Sequence, residues 1–450
     1  MFKEEEDQLA TFKEKYRDIP VPAHIDHYIK AGIDQASKKK KRNFRVVLST
    51  ITISAVLFLF IFSVRVSPAF ASYASQIPGL ERLVELIRGD KGLESAIKND
   101  FVQVIGKSAT HDGITFTVDE IIADEAKMII FYTLEADQDY NYLMLGDLEI
   151  TDENGKNIAA VISYGNPNDE NEQKRTVSDK IEIDFGHDED LPEQINISAN
   201  IDVGNSPSIA ENKTWDISFT IDHERFANHK EVFPINETVS VEGQKVTFKE
   251  IIVYPTKIAV HVKYDEQNSK ELFAFDDLAI VNENDEEWAS INGVSGQEYV
   301  ENEEFIFLQS NFFEQPEELY LQFSSIRALD KDQLNVIVDV EQERLLKSPD
   351  DQIELLEVSK RGSRADLKFI IKRSEKYQDD VFYQTFAHQY YDEDGNEYET
   401  LDGFGFYHRD DDSEYISYLT VRKPEVSNNV ILKISDYQTR IEKDVKIKVK

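Results

Sequence analysis

The chain has 450 residues, 50 of them Lys or Arg against 87 Asp or Glu, for a formal charge of −37 at pH 7, with 40% hydrophobic residues and no cysteine. Such an acidic surface repels polyanions and excludes a nucleic-acid binder. The missing cysteines exclude disulfides, thiol catalysis and cysteine-ligated zinc, while the length leaves room for about three domains.

The charge is unevenly spread. Residues 1–45 carry 11 basic and 8 acidic residues, whereas the remainder carries 39 basic and 79 acidic ones. Within 1–45, Leu9, Phe12 and Tyr16 recur at helical spacing and form one apolar stripe. Ile19-Pro20-Val21-Pro22 breaks that helix, because proline disfavours helix in the residue before it. A second helix follows, with Ile25, Ile29, Ile33 and Ala36 along one face. Two short helices cannot enclose a core, so their stripes need a partner: each other, the membrane surface or another protein. His24 and His27 share a helix face, but with no third ligand nearby they read as a solvated pair.

Next comes Lys38-Lys39-Lys40-Lys41-Arg42, then Val46 to Val64, 19 residues without charge, proline or glycine. As a helix this run is roughly 28 Å long, the thickness of a bilayer's hydrocarbon core. Cations flanking a span stay in the cytoplasm, so the five basic residues orient 1–45 inside and 66–450 outside. A cleaved signal peptide is the rival, since Ala69-Phe70-Ala71 resembles a cleavage site. The leading segment is far longer than a signal's basic region and the apolar run is longer than usual, which favours a retained anchor. Residues 65–100 read as a helical connector. Leu80, Leu83, Val84 and Ile87 fall on one face, Gly89 ends that helix, and Leu93, Ala96 and Ile97 mark a second. Its plainest role is a spacer packed on the first β domain; the alternative is a signalling lever or a protease site.

Ile19-Pro20-Val21-Pro22 to Ile33, the lysine run, the single span and SPAFASYASQIPGLERLVELIRGDKGLESAI (Ser67–Ile97) together resemble a known family. These are the single-pass, anti-sigma-like membrane proteins of Gram-positive spore-formers, negative effectors of extracytoplasmic-function sigma factors. The resemblance runs from Ile19 to about Leu134. It implies a cytoplasmic tail that holds a sigma factor and an outer part that senses. The His-x-x-x-Cys-x-x-Cys motif of zinc-containing anti-sigma factors is missing, so sigma binding rests on Leu9, Phe12, Tyr16, Ile25, Ile29 and Ile33.

Past residue 100 the periodicity turns to two. GITFTVDEIIADEAKMIIFYTLE (Gly113–Glu135) reads as strand, turn, strand, and GQKVTFKEIIVYPTKIAVHVKY (Gly243–Tyr264) repeats it 130 residues on. Asp147-Leu148-Glu149-Ile150, Glu153 and Asn154 match Asp277-Leu278-Ala279-Ile280, Glu283 and Asn284 at the same offset. A weaker third copy begins at Ile353, with its turn at Asp392-Glu393-Asp394-Gly395-Asn396. Strands at Ile195–Val203, Leu319–Ile326 and Val430–Ser435 precede terminal strands at Ile217–Ile221, Leu334–Val338 and Val445–Val449. The fold class is therefore mainly β: short cytoplasmic helices, one transmembrane helix and three extracellular immunoglobulin-like β-sandwiches, at 101–225, 230–342 and 346–450.

No catalytic constellation stands out. None of the seven histidines past residue 100 lies in a motif with defined mechanics, and Asp392–Glu397 fails the EF-hand spacing, so a hairpin turn on Asp394-Gly395 accounts for it. Phe382, Tyr383, Phe386, Tyr390, Tyr391, Tyr398, Phe404, Phe406 and Tyr407 crowd the third unit and make it the first place to look for a sensor face. The sequence thus reads as a membrane-anchored regulator without enzymatic activity or cofactor. Its partners are a cytoplasmic sigma factor, membrane lipid, and an extracellular protein or cell-wall ligand. The rival is a structural or adhesive surface protein with an idle tail.

Overall fold

Many of the β-strands past residue 100 follow from their alternation. In Trp215–Thr220, Trp215, Ile217 and Phe219 are buried while Asp216, Ser218 and Thr220 face water. The computed structural model describes residue 83 and residues 85–165, 173–185, 191–204, 213–290, 296–373, 384–408, 414–422 and 428–450. Residues 1–82 lie outside these, and with them the tail residues Leu9, Phe12, Tyr16, Ile25, Ile29 and Ile33, the run Lys38–Arg42 and the apolar stretch 46–64. Among the described residues no helix is long and apolar enough to cross a membrane. The architecture is mainly β, in antiparallel sheets.

The first unit has strands β1 (Gln103–His111), β2 (Ile114–Ala123), β3 (Lys127–Tyr140), β4 (Tyr142–Thr151), β5 (Val161–Tyr164), β6 (Lys174–Asp184), β7 (Gln194–Gly204) and β8 (Trp215–Thr220). One sheet has the order β1-β2-β3-β6-β5 and the other β4-β7-β8. The indole N–H of buried Trp215, on the second sheet, donates to the Ile114 carbonyl on the first at 3.0 Å. β7 and β8 pair from Gln194↔Thr220 to Ala199↔Trp215, so this unit closes on its own strands.

The second unit contains β9 (Glu231–Val241), β10 (Gln244–Val253), β11 (Lys257–Tyr264), β12 (Lys270–Phe275), β13 (Ala279–Asn282), β14 (Glu287–Ala289), β15 (Gly296–Val300), β16 (Glu303–Gln309) and β17 (Leu319–Asp330). Its first sheet, β9-β10-β11-β16-β15, repeats that of the first unit. Phe248 of that sheet meets Phe275 and Phe323 of the facing one, with ring centroids 5.9 and 5.7 Å apart. The remaining strands are β18 (Asn335–Asp339), β19 (Arg344–Lys347), β20 (Ile353–Arg361), β21 (Arg364–Lys372), β22 (Phe386–Tyr391), β23 (Glu397–Glu399), β24 (Leu401–His408), β25 (Glu414–Arg422), β26 (Asn429–Ile434) and β27 (Arg440–Lys448).

The repeat is visible in local geometry. The hairpins β2–β3, β10–β11 and β20–β21 each carry a register shift just before a glutamate: Glu120, Glu250 and Glu357. The turns at Asp152, Asn282 and Asp392 are also alike. Each side chain accepts the backbone N–H groups two and four residues on, at 2.8 to 3.0 Å. The residue three positions on has positive φ every time: Gly155 at 75°, Asp285 at 59° and Gly395 at 81°.

The closing strands of the second and third units are exchanged. Leu334–Val338 reads in sequence as the end of the second unit, but β18 pairs with β26, and Val336, Val338 and Val340 lie in the third unit's core. Val445–Val449 reads as the end of the third, but β27 pairs with β17 from Tyr320↔Lys448 to Arg327↔Arg440, and Ile441 and Ile447 lie in the second unit's core. Burial of each isoleucine is worth roughly 1.5–3 kcal/mol. A polar knot fixes the crossing. Arg327 on β17 holds Asp436 by two bonds of 2.9 and 3.0 Å and Asp276 by one of 2.7 Å, and Arg440 returns to Asp276 at 2.6 Å. Beyond it, the Glu442 N–H donates to Glu242 at 3.0 Å and Lys443 Nζ to the Ser240 carbonyl at 2.8 Å. The boundaries near 342 and 346 therefore cut through shared structure.

The connector helix α1 (Lys91–Lys98) is capped by Asp90, whose carboxylate accepts the Leu93 N–H at 3.0 Å. Leu83, Ile87, Leu93, Ala96 and Ile97 are all buried, as their spacing requires. The helix does not serve as a spacer on the first unit, because its bonds run to the second. Lys91 N–H donates to Gln309 Oε1 at 2.8 Å, Lys91 Nζ to the Glu287 carbonyl at 2.8 Å, and Ser95 Oγ to Glu314 at 2.9 Å. Gly92 permits this approach, since a Cβ there would sit 2.7 Å from the Ser310 nitrogen. Phe101 then packs edge-on against Phe226, on the short helix α2 (His223–Phe226), and against Phe313, at 5.0 and 5.4 Å.

Candidate functional site

The described feature best placed to act on the connector is the cleft where it meets the first two units. The turns that begin the site are copies of one another. Asp124 N–H donates to the Lys127 carbonyl, and Tyr254 N–H to the Lys257 carbonyl, each at 2.9 Å and 130 residues apart. The two turns face each other through Asp124, which is 1% exposed. Its Oδ1 accepts Ala126 and Lys127 N–H within its own turn at 2.9 and 3.0 Å, and its Oδ2 accepts Thr256 N–H from the other at 2.7 Å. Ala126 is packed among Ile252, Tyr254, Ala259 and Phe305 of the second unit. A buried carboxylate with three backbone donors is the joint between the units; burial pushes its pKa up against the pull of those bonds.

Around this joint lies an open cleft of about 810 Å³, lined by Asp90 of the connector, Lys127, Lys180, Glu182 and Asp184 of the first unit, and Lys257 of the second. Lys127 Nζ meets Glu182 at 2.5 Å, and Lys180 meets the other Glu182 oxygen at 2.7 Å. Burial raises the Glu182 carboxyl, but the two lysines outweigh it and hold the group at about 2. Lys257, 7% exposed along its side chain, reaches Asp184 at 3.1 Å with its ammonium 3.8 Å from the Phe307 ring centroid. Burial lowers the Lys257 pKa, whereas on Lys127 the Asp184 and Glu182 charges overcome burial and raise it. Burial also raises Asp90, the helix cap. The cleft is thus a clasp of alternating charges, with the connector's cap Asp90 on its wall. Among the described residues no group of three or more His, Asp or Glu is placed to hold a metal.

The aromatic crowd of the third unit mostly builds structure. Phe386 and Tyr390 are core residues, Tyr398 stacks on Tyr390 at 5.4 Å, Phe404 lies on the His388 ring at 4.3 Å, and Tyr391 bonds Glu397 at 3.1 Å. Phe406 and Tyr407 on β24 are 40% and 47% exposed, and Phe382 and Tyr383 lie outside the described residues. Asp392 is a turn residue as expected, its carboxyl held below the usual range by Asn396 against the effect of burial. Sequence reasoning singled out none of the clasp residues. Glu182 and Asp184 do alternate with buried Ile181 and Ile183 on β6, which places them together on one half-buried face, but nothing in that pattern names their partners. It also passed over His261, buried between Glu250 at 3.4 Å and Glu303 at 3.0 Å.

Two families match parts of the chain. Residues 39–136 match one described as a domain of unknown function (DUF4179), and residues 230–348 match a family of unknown function (DUF5643). The second match extends through β18 and β19, and so spans the crossing between units. Among solved structures the chain is similar to the conserved domain protein from Bacillus anthracis, at 13% identity, over 58% of this chain and 87% of that one, with a TM-score of 0.38. No curated protein matches.

Proposed function

We propose that this chain is a single-pass, anti-sigma-type regulator of envelope signalling. Residues 1–45 hold a sigma factor in the cytoplasm, 46–64 span the membrane, and three immunoglobulin-like β-sandwich units sense outside. The observation that carries the reading is the connector's docking. The connector helix at 91–98 is bonded to the second unit, and its cap Asp90 lines the charged cleft. A ligand or stress that alters the packing of the first two units therefore acts on the chain leading to the membrane. The match over 39–136 supports it further, since it joins lysine run, apolar run, connector and first hairpin in one stretch.

The test lies in the tail. Losing the burial of two isoleucines removes roughly 3–6 kcal/mol, or two to four orders of magnitude in affinity. Ile29→Asp with Ile33→Asp is expected to release the sigma factor and raise transcription of its targets without disturbing membrane insertion. Pull-down of the cell's sigma factors on the wild-type and variant tails, beside a reporter of the neighbouring operon, reads this directly. If the wild-type tail captures none and deletion of residues 3–36 leaves the reporter unchanged, the surface-protein alternative replaces this reading. A reporter fused after Lys450 and found in the cytoplasm overturns the topology.

A further inference from the structure

We infer that the exchanged strand β27 is a latch on the connector: the segment 440–449, contributed from beyond the third unit, holds the second unit closed and so holds α1 in its dock. This stands whether or not the tail binds a sigma factor.

The path is short and continuous. β27 pairs with β17 over Tyr320↔Lys448 to Arg327↔Arg440. It places Ile441 and Ile447 in the core that also contains Phe248, Phe275 and Phe323. That core is shared by the facing sheet, whose strand β16 supplies Ile306 and Leu308 to it. The residue after Leu308 is Gln309, which accepts the Lys91 N–H, and the next is Ser310, against which Gly92 is pressed. The dock of α1 is therefore built on a sheet whose opposite layer is completed by a strand from elsewhere in the sequence. Without β27, one side of β17 loses its hydrogen-bonding partner along its length, and an unfilled edge of that kind is where sheets open locally.

The strand is fastened at both ends. At its start it is held by the knot of Arg327, Asp276, Asp436 and Arg440, and by Thr439 Oγ1 on the Ala328 carbonyl at 2.5 Å; at its end Lys448 Nζ pairs with Glu318 at 2.9 Å and the Val449 N–H donates to the Leu319 carbonyl at 2.8 Å. Between Ile441 and Ile447, which are both buried, Glu442, Lys443 and Asp444 are exposed and Val445 is half-buried.

The experiment uses the full-length protein in detergent. With no native cysteine, Tyr320→Cys with Lys448→Cys reports the exchange cleanly, because these residues are opposite each other on β17 and β27. A disulfide forming within one chain is expected; its failure to form under oxidising conditions overturns the inference. Ile447→Ala then loosens the latch without removing it. Hydrogen exchange is expected to accelerate at least ~10-fold at β17 and at α1 together, with β7–β8 of the first unit unchanged. Acceleration confined to β20–β26, or acceleration at β17 with α1 unmoved, overturns it. In the disulfide variant carrying Ile447→Ala, α1 is expected to regain slow exchange when oxidised and lose it when reduced. No change on reduction also counts against the latch.

Discussion

The first β unit and the second were written from the same pattern, yet they are closed differently. In the first, β7 pairs with its own neighbour β8. In the second, β17 runs through a short turn at Lys331–Gln333 and its continuation leaves for the third unit, while β27 comes back to take the place. The strands that fill equivalent positions look alike: Trp215, Ile217 and Phe219 in one, Ile441, Val445 and Ile447 in the other. The difference teaches that alternation specifies which face of a strand is buried, but not against which β-strand it is buried. A closed unit can be perturbed by itself. Units that exchange strands share their fate.

The largest expected effect tests the independence of the first unit. Trp215→Ala removes a fully buried indole and its bond to Ile114, at a cost of about 3–5 kcal/mol. Chemical denaturation followed by hydrogen exchange is expected to show early loss of β1–β8 with β9–β27 intact; a uniform loss across all strands breaks the comparison. Ile441→Ala probes the other side. A cost of about 2–5 kcal/mol is expected, and it falls on the second and third units in a single transition, although Ile441 is nearer in sequence to the third. Calorimetry that resolves two separate transitions there, with the later sequence moving by itself, contradicts the exchange.

The charged clasp gives a pH-dependent test of the joint. Glu182 titrates at about 2 in the folded protein against 4.5 in the unfolded chain, so its contribution is fully present above pH 4.5 and is lost as pH falls through 2. The gap corresponds to about 3 kcal/mol as an upper bound. Asp90 has the opposite sign: its raised pKa favours the fold at low pH and loses that contribution as pH rises through the folded value. Glu182→Gln is therefore expected to flatten the fall in stability between pH 4.5 and 2, measured by urea midpoints. An unchanged slope removes the clasp from the account. The smallest effect sharpens the repeat itself. Asn282→Ala takes two acceptor bonds from one of three equivalent turns and is expected to cost about 1–2 kcal/mol, visible as faster exchange at Asn284 and Glu286 alone.

Much of this was legible in the sequence. The offset of 130 residues marked β2–β3 and β10–β11 as copies, and their hairpins match down to the bulge before Glu120 and Glu250. The helical spacing of Leu93, Ala96 and Ile97 named the buried face of α1. The site was less legible, because Lys127, Glu182, Asp184 and Lys257 read as an ordinary exposed charge pattern until β3, β6 and β11 bring them together. The displaced pKa values of Lys127, Glu182 and Lys257 arise from burial and from the charges that meet there, with Lys180 the contributor from Glu182's own strand.

What the sequence determined by itself is local: strand periodicity, the Asx-type turns at Asp152, Asn282 and Asp392, the cap at Asp90, and the charge and apolar runs before residue 65. These depend on interactions within a few residues, so they are written where they act. Tertiary structure decided which strands pair, where α1 docks, and that Leu334–Val338 and Val445–Val449 trade places. Any alternating strand satisfies the hydrophobic demand of either slot. The choice falls to groups far apart in sequence: Arg327 with Asp436, Arg440 with Asp276 and Glu442 with Glu242 fix β27 in the second unit, and leave the slot beside β26 to β18.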